Sequence, residues 1–168
     1  MKSVENNGNF VPSERDMTGL IEHIIYEIEM LYISMKCFKN KELSIYNSIF
    51  IENFLIHERN LMDFFGKKTR CKKDGCSKCG IQDEDDALCL DFGFNTKKFD
   101  YKTKQKINKS LSHISYSRNN GNNIWDIKEM GEQMLIISGE FLLLLKSKRY
   151  IINGDNNYQR IKKIFINF

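Results

Sequence analysis

Residues 52–65 read Glu52-Asn53-Phe54-Leu55-Ile56-His57-Glu58-Arg59-Asn60-Leu61-Met62-Asp63-Phe64-Phe65. Phe54, Leu61 and Phe64 recur at helical intervals, and Asn53, His57, Asn60 and Asp63 follow one another three or four residues apart. The stretch therefore predicts one helix on which a polar stripe runs beside an apolar one. An ordinary surface helix would keep such polar groups on its far face. On the plainer reading these groups are satisfied side chains that orient neighbouring helices, with Arg59 pairing an acid on one of them. On the sharper reading they belong to a site, with His57 a catalytic candidate and Arg59 a candidate binding cation.

The helix extends back through Phe50 and Ile49 to about Leu43-Ser44. Gly66 stops it, as a candidate left-handed C-terminal cap. Upstream, Ser13-Glu14-Arg15-Asp16 offers a capping arrangement, and Leu20, Ile21, Ile24, Ile25, Ile28, Leu31 and Met35 follow at helical spacing to near Lys39-Asn40. Downstream, residues 67–101 change character: a basic stretch, three cysteines, an acidic run at Asp83–Asp86, then Ala87–Phe92 closed by Gly93. This is an insertion, mostly loop with one short helix.

Helicity resumes from about Lys102 to Tyr116 and breaks at Arg118–Asn123, rich in Asn with one Gly. A last long helix is expected over about Ile124–Lys148, apolar on more than one face in its second half, which implies several packed sides or a partner subunit. No alternating run is long enough for a strand. The expectation is an all-α fold, an antiparallel four-helix bundle over residues 16–150 interrupted by the insertion. Residues 1–15 would form a disordered N-terminal segment, and 151–168 an amphipathic tail carrying Tyr158, Ile161 and Ile164.

The chain's 168 residues suffice for one core. No apolar run reaches the length of a membrane span, and the first fifteen residues are polar with Pro12, so the reading is a cytoplasmic protein without signal peptide or membrane contact. Lys and Arg outnumber Asp and Glu by 26 to 22, a net +4 that permits nucleic-acid contact without requiring it.

A second histidine sits on the third long helix, in Asn108-Lys109-Ser110-Leu111-Ser112-His113. Leu111 and Ile114 place His113 at the core's edge, where an imidazole can exchange protons at neutral pH. Lys106, Lys109 and Arg118 lie near the same helix end, so a phosphate diester could be held beside His113 and Asn108. That arrangement suits ribonucleolytic cleavage without metal. A capped, solvated helix end would look the same.

The 52–65 block, together with Asp85-Asp86-Ala87, Asp91-Phe92, Ile107–Ile114 and Trp125, resembles a group of bacterial helical proteins that are in turn similar to the HEPN superfamily. That resemblance implies a helical bundle of a toxin or phage-defence system, frequent homodimers, and in active members an RNase site at the dimer interface. An antitoxin or other protein partner is also implied. The family's motif is an arginine, often followed by a polar residue, with a histidine four to six positions after the arginine. His113 matches the histidine and Asn108 the polar position, but Ile107 precedes Asn108 and Lys106 stands where a displaced cation would. Lysine lacks the planar two-pronged grip of arginine on a phosphate, which opens the alternative of a non-catalytic dimerisation or protein-interaction module.

Cys71, Cys76, Cys79 and Cys89 have the spacing C-x4-C-x2-C-x9-C, and Cys76-Ser77-Lys78-Cys79-Gly80 resembles a zinc knuckle. Four thiolates would suit structural zinc, with Lys72, Lys73 and Lys78 offsetting their charge. Cys89 lies in an apolar run, where it would equally serve as a plain core thiol.

Overall fold

The computed structural model describes residues 13–68, 87–112, 125–152 and 154–165, and these form helices without a strand. Helix α1 spans Glu14–Phe38, α2 Asn47–Gly66, α3 Tyr101–Ser112, α4 Ile127–Ser147 and α5 Asn156–Ile164. Lys41–Tyr46 and Cys89–Phe92 are short 3-10 turns. The all-α expectation holds, and no helix among the described residues is long and apolar enough to cross a membrane.

Helix α1 starts where its first residues can satisfy the exposed amides of a helix end. The Ser13 hydroxyl accepts from the Asp16 N–H, and the Asp16 carboxylate accepts from the Ser13 N–H at 2.9 Å and from its hydroxyl at 2.7 Å. These bonds, the hydroxyl's first, hold Asp16 below the usual carboxylate range. Ser13 to Arg15 therefore belong to the cap and first turn of α1 rather than to a disordered leader.

Helix α2 begins later than the pattern suggested. Asn40 caps the 3-10 turn by accepting from the Glu42 N–H at 3.0 Å, and α2 proper starts at Asn47, with Ile49 exposed in its first turn. Gly66 is also not a left-handed cap: it is the last helical residue, and the positive-φ glycines among the described residues are Gly93 and Gly154. Its lack of a side chain serves packing, since a Cβ there would sit 3.0 Å from Phe99 Cδ2.

Helices α1 and α2 pack antiparallel, α4 packs against both, and α3 packs against α2. Ile21, Ile25, Ile28 and Leu31 of α1 meet Phe54, Leu55, Leu61 and Phe65 of α2, with Met134, Phe141 and Leu145 of α4, in one core. Gly131 sets how closely α4 approaches, because a Cβ would overlap Met35 Sδ and lie 3.0 Å from Phe54 Cε2. At the far end Phe141 makes edge-to-face contacts with Phe64, Phe65, Phe92 and Phe94, at centroid distances of 5.3–5.5 Å. Each such pair adds about 0.5–1.5 kcal/mol beyond its buried area.

The second half of the insertion belongs to this core. Leu88, Cys89 and Phe92 are buried, and Gly93 turns the chain with φ +75°. Lys148 Nζ donates to the Phe92 carbonyl at 2.6 Å, which ties the turn to the end of α4. Helix α5 is held to α1 by Arg160, whose Nε and Nη2 both donate to Glu29 Oε2, at 3.1 and 2.7 Å.

Candidate nucleic-acid interface

The polar stripe of α2 faces α1. His57 is 6% exposed; its Nδ1 donates to Glu27 Oε2 at 2.7 Å, and Asn60 Nδ2 donates to the same oxygen at 3.1 Å. One turn earlier Asn53 Nδ2 donates to Ser34 Oγ at 2.6 Å, and that hydroxyl donates to the Met30 carbonyl at 2.8 Å. The Tyr26 ring meets His57 edge-on at 5.7 Å. Three polar side chains of α2 are thus engaged with α1 by hydrogen bonds that fix the register of the two helices. This is the arrangement of satisfied groups that orients neighbours.

Asp63 turns the other way, pairing with Lys104 of α3 and with Lys67 at 3.8 Å. Arg59 is half-buried, and its Nε has no hydrogen-bond partner among the described residues. Lys106 lays its ammonium over the Trp125 ring, 4.3 Å from the centroid, while Lys109 is exposed in the last turn of α3 and Asn108 is half-buried beside it. His113 and Arg118 lie outside the described residues.

Cys71, Cys76 and Cys79 also lie outside them. Cys89 is fully buried, and its thiol reaches toward the Phe65 carbonyl, Sγ to oxygen 3.6 Å. Burial, then the nearby Asp91 charge, pushes that thiol up to about 11, so in this environment it stays protonated and behaves as a core thiol. No group of three or more His, Cys, Asp or Glu among the described residues is placed to hold a metal.

A basic cleft lies between α2 and α3. A cleft of about 340 Å³ is lined by Lys67, Lys68, Lys97, Lys98 and Lys104, with Asp100 the one acid among its lining residues. Phe99, Tyr101 and Met62 supply its apolar wall. The two lysine pairs come from opposite sides of the insertion and are brought together where the Lys97 N–H donates to the Phe65 carbonyl at 2.9 Å. Asp63 offsets part of this charge by pairing with Lys104 and Lys67, and Glu140 does so by pairing with Lys97 at 2.7 Å. The cleft remains net basic. Asp100 caps α3, and hydrogen bonds from the Thr103 hydroxyl and then its N–H hold it below the usual carboxylate range. Tyr101 is 69% exposed at the mouth.

A second pocket, of about 260 Å³, opens between α2, α3 and α4 and shares Met62, Phe99 and Asp100 with the lysine cleft. Glu58 lines it at 5% exposure, and its Oε2 has no hydrogen-bond partner among the described residues. Burial pushes this carboxyl up to about 8. The sequence pattern alone gave Glu58 no role. The available signal was its register: it stands four residues after Phe54 and four before Met62, on the apolar stripe itself.

No family model, no curated protein and no solved structure matches this chain.

Proposed function

We propose that this chain is an RNA-binding helical protein, of the HEPN-like kind its short sequence blocks resemble, which holds the RNA backbone in the lysine cleft between α2 and α3. The observation that carries the reading is the convergence of five lysines on one cleft beside exposed and partly buried aromatic side chains. Ammonium groups neutralise phosphates and release their counterions, while aromatic rings accept stacked bases, and neither interaction depends on sequence. Lys109, exposed on the same helix, extends the basic surface.

Fluorescence anisotropy with a labelled single-stranded RNA tests this. Lys68→Glu with Lys98→Glu, both at exposed positions, should weaken binding at least roughly tenfold, since each phosphate contact is worth about 1 kcal/mol. Lys128→Glu with Lys163→Glu, exposed positions outside the cleft lining, should not. Equal effects from the two pairs would reject the cleft.

Metal-independent cleavage by His113, with Asn108 positioning phosphate, belongs to the same proposal as part of a toxin or phage-defence system. Its test is RNA hydrolysis by the His113→Ala variant, and undiminished hydrolysis would reject it. His57, bonded to Glu27 and packed against Tyr26, serves the scaffold in this reading. Structural zinc on Cys71, Cys76 and Cys79 is likewise proposed, and metal analysis of purified protein tests it.

A second reading, a homodimerising or protein-interaction module, draws support from exposed apolar residues at two-turn spacing on adjacent helices. These are Tyr26 and Ile33 on α1, and Ile49 and Ile56 on α2. Sedimentation across a concentration series tests it, with Ile49→Glu expected to shift any dimer toward monomer.

A further inference from the structure

We propose that the lysine cleft selects unpaired over paired RNA, and that Tyr101 makes the selection by stacking one base on its ring. This rests on the RNA-binding reading and names the strand state that the cleft takes. Tyr101 lines the cleft together with the five lysines, and at 69% exposure it is the most exposed Phe, Tyr or Trp among the described residues. Its ring adds little to the core. The other apolar lining residues differ, since Met62 is buried and Phe99 half-buried, so they form the wall and Tyr101 the platform.

Although the ring stands in solvent, the backbone that carries it is held on both sides. Four residues earlier, the Lys97 N–H donates to the Phe65 carbonyl at 2.9 Å, and Phe99 fills the space that a side chain at Gly66 would need. On the other side the Asp100 carboxylate accepts from the Lys102 N–H at 3.3 Å, from the Thr103 N–H at 2.9 Å and from the Thr103 hydroxyl at 2.8 Å. These bonds close the first turn of α3 around Tyr101. A ring presented from a fixed backbone gives up less freedom on binding than one on a loose loop.

Charge alone supplies no preference for unpaired strands. Asp63 pairs with Lys104 and Lys67, Glu140 pairs with Lys97, and Asp100 is occupied with its own cap, while Lys68 and Lys98 are exposed. Ammonium groups accept phosphates of a duplex as readily as those of a single strand. A duplex, however, keeps its base faces stacked inside and must spend energy to release one. A single strand offers its base faces without that cost, and every base has one, so the preference concerns strand state and not sequence.

The test uses the full chain and anisotropy with three RNAs of equal length: a single strand, an abasic single strand and a blunt duplex. Wild type should bind the single strand about tenfold more tightly than either of the others, within the range of one base–aromatic stack. Tyr101→Ala should bring the single strand to the abasic level, leaving abasic and duplex affinities unchanged. Tyr101→Leu, which keeps bulk without a π-face, should do the same, and Tyr101→Phe should retain wild-type binding. Because Tyr101 carries no charge, the salt dependence of binding should be the same in Tyr101→Ala as in wild type. The exposure of the ring predicts an unchanged urea midpoint for that variant. A duplex or abasic strand bound by wild type as tightly as the single strand overturns the selection while leaving the lysine cleft standing. So does single-strand affinity undiminished in Tyr101→Ala, or a loss shared equally by the duplex. Failure of all three RNAs to bind overturns this proposal and the RNA-binding reading together.

Discussion

Replacing Glu58 by Gln should change how stability depends on pH, because this carboxyl is buried at 5% exposure with one oxygen unbonded. Burial raises it from an ordinary 4.5 to about 8 in the folded protein, so between these values the native state holds a proton that the unfolded state has released. Stability is then fully present below about 4.5 and falls as pH rises toward 8, above which the loss levels off. At ~1.4 kcal/mol per pH unit, the interval from 4.5 to about 8 caps the loss at about 5 kcal/mol. Water entering through the pocket mouth would reduce it.

Glu58→Gln keeps the shape of the neutral acid and cannot ionise. Urea titrations of both proteins across that pH range give the difference directly, and subtraction cancels every other titrating group. The two should match near pH 4.5, and the variant should become progressively more stable toward pH 8 by several kcal/mol. Parallel curves would show that Glu58 does not titrate as a buried acid.

Other positions give sharper mechanical readings. Gly131→Ala should destabilise by about 1–2 kcal/mol in urea midpoint measurements, because overpacking against Met35 and Phe54 exceeds the helix-propensity gain of alanine. His57→Ala should cost about 2–3 kcal/mol, and its combination with Glu27→Gln should cost less than the sum, as expected of residues sharing one hydrogen bond. Cys89, buried and held up to about 11, should resist a thiol reagent at pH 8 in the folded protein and react on denaturation, as quantified by mass spectrometry. Rapid labelling of native Cys89 would contradict its place in the core.

Much of the helical framework was legible because it is written in local spacing. The repeat from Leu20 to Met35, the Ser13–Asp16 cap and the short tail helix each depend on residues within a few positions of one another. The facing of Asn53, His57 and Asn60 followed from the same period. The start of α2 was misplaced because Leu43 to Tyr46 have helical composition but form a tighter 3-10 turn under an Asn40 cap. Gly66 misled for a tertiary reason: Phe99, thirty-three positions later, occupies the space a side chain would need. The lysine cleft was invisible for the same kind of reason. Lys67-Lys68 and Lys97-Lys98 meet only because the chain returns to bond the end of α2, and nothing in local spacing encodes that return.

If the lysines between α2 and α3 hold phosphates, as proposed, RNA affinity falls with salt in proportion to the contacts they make. For single strands each neutralised phosphate contributes roughly −0.7 to the slope of log affinity against log salt. Lys68→Glu with Lys98→Glu should therefore flatten the wild-type slope by about 1.4 as two contacts are removed. Identical slopes for wild type and variant would show that Lys68 and Lys98 hold no phosphate.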